Sequence, residues 1–144
     1  MCWLQKEIIL PEFNRGYHII TNLIKNELEE LKKINVGIAY LFIKHTSASL
    51  TINENVDPTV RIDFESHMNK LVPEEAPYYK HTMEGPDDMP AHLKSSLLGA
   101  SLLIPITKGN FNLGTWQGVY LCEHRNNGGA RKILITLNGE EERS

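Results

Sequence analysis

Residues 36–46 read VGIAYLFIKHT, and they restrict the possible folds sharply. From Val36 to Ile43 the chain carries no charge, and β-branched and aromatic residues dominate. So short and apolar a run is expected to be a strand buried on both faces. Such a strand needs cover on two sides, and therefore a core. The 144 residues, 41% of them hydrophobic, are enough for one. A single domain over residues 1–144 follows.

The flanking segments set the fold class. WLQKEIIL reads as a first strand ended by Pro11, and GYHIIT as a short second one. NLIKNELEELKKI has helical spacings, with Thr21 or Asn22 as cap. Asp57-Pro58 opens a second helix whose Val60, Phe64, Met68 and Leu71 share one face. A proline-rich loop follows, VPEEAPYYKHTMEGPDDMP, too long to be a simple connection. MPAHLKSSLLG is a short helix with Asp87 or Asp88 at its start and Gly99 as C-cap. SLLIPIT, FNLGTWQGVYLCEHR and ARKILITLNG are strands joined by KGN and NNGG turns, a three-stranded meander. The tail NGEEERS reads as a frayed terminus. This order indicates an α+β class with largely antiparallel sheet.

Charge and cysteine usage narrow the function. A formal net charge of -3 gives no basic footprint for nucleic acid. No apolar run is long enough to span a bilayer, and the start MCWLQKEIIL does not read as a signal peptide. Cys2 and Cys122 make no disulfide framework, which suits a cytoplasmic protein. Cys122, among apolar neighbours, reads as a small core residue.

Histidines and carboxylates carry the candidate chemistry. His45 ends the apolar strand with the parity of Leu41 and Ile43. His81 lies in the long loop and His92 in the first turn of the helix it feeds, with Glu84, Asp87 and Asp88 between them. Imidazoles and carboxylates converging on one point make a first-row metal site. The bland alternative is a loop whose acids cap a helix and whose histidines bond to backbone. In HTSASLTINENVDP, His45, Ser47, Ser49, Thr51 and Asn53 share a wholly polar parity that can face a cleft. Leu50 and Ile52 can anchor the other parity in the core. In the GTWQG strand, Gln117 and Glu123 share an otherwise apolar face and need partners if buried. Arg125, Arg131 or Lys132 can answer Glu123.

HTSASLTINEN, EGPDDMPAHLKSSLLG and LGTWQGVYLCE together resemble the YjbQ-like family, also called secondary thiamine-phosphate synthase-like proteins. The resemblance implies two packed sheets flanked by helices, a homotrimer, and a polar cleft near a subunit boundary. On this sequence the family's shared residues are His45, Thr46, Ser47, Asn53, Glu54, Asp57, His81, Asp88, His92, Trp116, Gln117 and Glu123. It also implies a thiamine-phosphate synthase side activity, joining a pyrimidine diphosphate to a thiazole phosphate with release of pyrophosphate.

The expected function is that of a metal-dependent enzyme acting on a small phosphorylated metabolite. The divalent metal, Zn or Mg, is expected on His45, His81, His92 and Asp88. Glu54 or Glu123 is expected as acid/base, with Asn53 and Gln117 orienting substrate. Thr46, Ser47, Asp57, Lys94 and Trp116 are the expected substrate contacts. The rival expectation is a non-catalytic trimeric binding or scaffold protein, its polar cluster a structural network or adventitious metal site.

Overall fold

The computed structural model describes residues 1–141. Two antiparallel sheets pack face to face. The strands are β1 (Cys2–Ile9), β2 (Gly16–Ile19), β3 (Ile34–Ile43), β4 (Ala48–Glu54), β5 (Ser101–Thr107), β6 (Asn110–Phe111), β7 (Gln117–Glu123) and β8 (Lys132–Glu141). The helices are α1 (Thr21–Asn26), α2 (Pro58–Leu71) and α3 (Asp88–Leu98), with a 3₁₀ turn at Glu29–Lys33. The larger sheet runs β1-β8-β3-β5-β6 and the smaller β2-β7-β4. Every pairing is antiparallel. The α+β expectation holds.

Alternation along β7 explains the layers. Val119 and Leu121 join the main core with Leu41, Ile43, Leu50, Ile104, Ile133 and Ile135. Tyr120 and Cys122 point the other way, into a second cluster with Tyr17 and Met68. The smaller sheet is therefore buried on both faces, with α2 and α3 on its far side. Among the described residues the larger sheet has no such cover. Its β3 alternates buried and exposed, and Val36, Ile38, Tyr40 and Phe42 all lie open, Tyr40 at 42%. The expectation that β3 is buried on both faces fails within one chain. An antiparallel sheet needs only one packed face.

Three further expectations are corrected. NNGG does not close a hairpin, because β7 and β8 belong to different sheets. The meander is thus broken; of the two turns, Lys108-Gly109 closes a hairpin, between β5 and β6, with both residues at positive φ. The first helix is split into α1 and the 3₁₀ turn, and Thr21 does not cap it. Thr21 Oγ1 instead accepts from the Val119 amide at 2.8 Å. Leu71 is exposed, and Val72 is buried in its place. By contrast Asp57 caps α2, accepting from the Thr59 amide at 2.9 Å, and Gly99 ends α3 at φ 105°. Of NGEEERS, residues 138–141 are strand in β8, and 142–144 lie outside the described residues.

Candidate metal-binding site

The N-terminus of α3 gathers the candidate ligands. α3 lies beside β4, fixed by Ser95 Oγ donating to the Ala48 carbonyl at 2.7 Å. One turn earlier, His92 Nδ1 meets the Thr46 carbonyl at 2.9 Å. A carbonyl only accepts, so that contact places a proton on Nδ1. His92 Nε2 then faces Asp88 Oδ2 at 3.1 Å, one helical turn away. His81 Nε2 reaches the same oxygen at 2.6 Å from the long loop. Glu84 closes the group at 3.4 Å from His81. One ligand atom from each of His81, Glu84, Asp88 and His92 lies within 4.8 Å of all the others.

Arg125 braces this group. Its guanidinium donates to Asp87 Oδ2 at 2.9 Å, to Asp88 Oδ1 at 2.6 Å and to the Glu84 carbonyl at 3.0 Å. Asp88 thus turns one oxygen to Arg125 and the other to the histidines. Its side chain is almost fully buried, whereas His81 and Glu84 stand open. Burial pushes the Asp88 carboxyl up, but hydrogen bonds from Glu84 and His81 and the charges of His92 and Arg125 hold it below its ordinary value. Asp87 is also lowered: burial opposes, and the Asn126 amide and Arg125 outweigh it.

His45 stands outside this group. Its Nε2 accepts from the Lys132 amide at 2.8 Å, and its imidazole is held below the usual range by burial and by nearby Arg131. Glu84 takes the place expected for His45. The reason is local: β3 ends at Ile43, so side-chain parity no longer aims residue 45.

The other expected site residues separate into two regions. Ser47 and Glu123 lie near His45. Glu123 is fully buried, and Arg131 grips both its oxygens at 2.7 and 2.5 Å. Arg131 also donates to Ser47 Oγ at 3.1 Å. A carboxylate so enclosed has no open side for a substrate, and Arg131 answers it structurally. Ser49 is buried as well, bonded to His124 Nε2 at 2.8 Å, so Ser47 and Ser49 of the polar parity face an interior network, while Asn53 further along is exposed.

Asn53, Glu54, Asp57, Trp116 and Gln117 sit at the far end of β4 and β7, where Glu54 pairs with Gln117. The length of β4 puts them roughly 20 Å from the Thr46 end. Their polar atoms serve the backbone. Asn53 Oδ1 accepts from the Glu54 amide, Glu54 from the Asp57 amide, and Gln117 Oε1 from the Gly114 amide. Trp116 is 65% exposed. One chain therefore does not join these residues to the histidine group.

Lys94 also departs from its expected role. It is 1% exposed, and its Nζ donates to Asn69 Oδ1 at 2.7 Å. It follows His92 by two positions, and on a helix such residues do not share a face. Glu84 and Arg125 join this group although neither stood among its expected ligands. Glu84 was legible as a carboxylate between two histidines. Arg125 was not, because only the chain reversal after β7 carries it to α3.

The fold and this braced group define an α+β protein with a histidine–carboxylate cluster at a helix N-terminus. The profile of the YjbQ-like UPF0047 proteins matches residues 6–140, and the chain belongs to that family. It is 54% identical to the UPF0047 protein YjbQ of Salmonella typhimurium over 138 residues, covering 96% of this chain and 99% of that one. It is 47% identical to a UPF0047 protein of Synechocystis, covering 94% and 92%. An uncharacterized conserved YjbQ/UPF0047 protein of Clostridium acetobutylicum superposes with a TM-score of 0.80 at 38% identity, covering 92% and 99%. A YbjQ-like protein of unknown function from Sulfolobus solfataricus shares the fold, with a TM-score of 0.84 at 24% identity over 96% and 99% of the two chains.

Proposed function

We propose that His81, Glu84, Asp88 and His92 hold a divalent metal ion, and that the protein is a metal-dependent enzyme for a small phosphorylated metabolite. One observation carries this reading. The ligand atoms of His81, Glu84, Asp88 and His92 lie within 4.8 Å of one another, and the Thr46 carbonyl on Nδ1 leaves His92 Nε2 turned toward Asp88 Oδ2. An ion at that point would be shared by two carboxylates and two imidazole nitrogens. The Thr46 carbonyl is the kind of outer partner that orients a metal-bound imidazole. Two imidazoles with two carboxylates suit Zn²⁺ or another first-row ion better than Mg²⁺. When bound, such an ion polarises a phosphate oxygen or a water. Arg125 holds Asp88 in place, and the open side at His81 and Glu84 leaves room for ligand.

Protein purified without chelator is expected to carry about one ion per chain by elemental analysis. Asp88→Ala and His92→Ala are expected to weaken its binding by at least ~100-fold, while His45→Ala retains it. A metal-free preparation that takes up no ion on addition of Zn²⁺ would sink the reading. Thiamine-phosphate synthase activity is one reaction to assay on the loaded protein. A cytoplasmic setting is part of the same proposal, supported by Cys2 and Cys122 standing unpaired. Among the described residues no helix is long and apolar enough to cross a membrane.

A homotrimer is also proposed, supported by the open apolar face of the larger sheet. Val36, Ile38, Tyr40 and Phe42 line it, with Leu103 opposite Tyr40 and exposed at 61%. Exposed apolar patches of this kind mark interaction surfaces. That face also favours the second reading, a trimeric scaffold whose polar cluster serves assembly. Light scattering on His92→Ala separates the two. Retained trimers with lost metal support the enzyme; loss of trimers supports the scaffold.

A further inference from the structure

The loop between α2 and α3 frames a half-open hollow of about 200 Å³ beside the histidine group. Ala76, Tyr79, Pro86 and Met89 form its apolar walls, and His81 belongs both to the hollow and to the cluster. The walls are held from several sides. Tyr79 Oη donates to the Pro73 carbonyl at 2.9 Å, and its amide to the Ala76 carbonyl at 3.0 Å. Arg125 fixes the Glu84 carbonyl at 3.0 Å, just before Gly85 and Pro86. Glu75, also on the lining, has a left-handed backbone with φ 57°. Non-glycine residues hold that conformation at a cost, and such residues gather at ligand sites.

We propose that this hollow is the subsite for the organic part of the ligand. It takes one uncharged ring, or a branched group of that size, bonded to a phosphate held at the histidine cluster. The proposal rests on the metal reading above. Size sets the class: an apolar cavity of roughly 150 Å³ holds benzene. Pockets for drug-sized ligands run to roughly 300–1,000 Å³, so a complete nucleoside exceeds this hollow. Charge narrows the class further. Glu75 lies on the lining and Glu84 beside it in the cluster, so a second anionic group is disfavoured in the hollow.

The test compares two probes on the Zn²⁺-loaded protein by calorimetry: inorganic phosphate and phenyl phosphate. Phenyl phosphate is expected to bind about tenfold or more tightly than phosphate, from burial of the ring. Ala76→Trp fills the hollow and is expected to erase that preference while metal content and phosphate affinity stay. Tyr79→Ala removes a wall and should shrink the preference from the opposite direction. Equal affinities in the unsubstituted protein, or a preference untouched by both substitutions, overturn the subsite. Absence of metal or of phosphate binding in the unsubstituted protein instead overturns the metal reading, so the two failures are distinguishable.

Discussion

Arg131→Met is expected to lower the unfolding free energy by about 3–5 kcal/mol. Arg131 is 4% exposed and Glu123 0%. Glu123 accepts three protein hydrogen bonds, two from Arg131 and one from the Arg125 amide at 3.2 Å. Removing the guanidinium leaves a carboxylate enclosed between the two sheets without its counterion. The desolvation penalty then stands alone, which is why breaking such a pair costs more than the pair contributes. Gly128 offers a second probe of the same enclosure. A Cβ there would collide with Glu123 Oε1 and come within 2.6 Å of Arg131 Nη2. Gly128→Ala is therefore expected to cost about 1–3 kcal/mol by overpacking. Urea unfolding of both variants checks this. A loss below about 1 kcal/mol for Arg131→Met would mean the pair behaves as a solvated surface bridge.

The second large effect is a pH dependence centred on His124. Burial, and then the charges of Lys94, Arg131 and Arg15, lower its imidazole to about 3. In the unfolded chain it titrates near the ordinary histidine value of about 6.5. Below that pH the unfolded state takes a proton that the folded state refuses, so stability falls with acidification. The contribution is complete above pH ~6.5 and is lost at up to about 1.4 kcal/mol per pH unit down to the folded value. Between pH ~6.5 and ~4.5 this amounts to about 2.3 kcal/mol, because the unfolded imidazole is only half protonated at the start of the window. His124→Gln keeps a polar group for Ser49 and removes the proton site. The gap between the two proteins, measured by urea titration, should therefore shift by that amount in favour of the variant on acidification. Parallel curves across this window would show that His124 is protonated in the fold. The lowered Asp87 and Asp88 carboxyls act later in the descent, nearer their unfolded values of about 3.9. They are common to both proteins and cancel in the difference.

Much of this site was readable one residue at a time. His81, Asp88 and His92 lie within one loop and one helical turn, so their approach follows from short-range geometry. Asp57, with Pro58 after it, announced the start of α2 for the same reason. What failed were inferences that needed a distant partner. His45 looked like a ligand until the Lys132 amide claimed its Nε2. Glu123 looked like an acid/base until Arg131, eight positions on, enclosed it. Gln117, Asn53 and Glu54 do come together, yet at the wrong end of the sheet for the histidines.

Periodicity, turn chemistry and helix caps act over a few residues, so the sequence by itself determined most of the strands and helix bounds, the α+β class and the loop histidines; FNLGTWQGVYLCEHR, expected as one strand, is interrupted at residues 112–116. It also determined that β7 has two distinct faces, because alternation is a local property of extended chain. Only the tertiary structure decided that β7 and β8 part company into different sheets. Only the tertiary structure decided that β3 covers its core on one side and leaves Ile38, Tyr40 and Phe42 open on the other. The physical reason is the same in both cases. An apolar run records that a face must be hidden, but not what hides it, and ionisable groups take their roles from partners far along the chain.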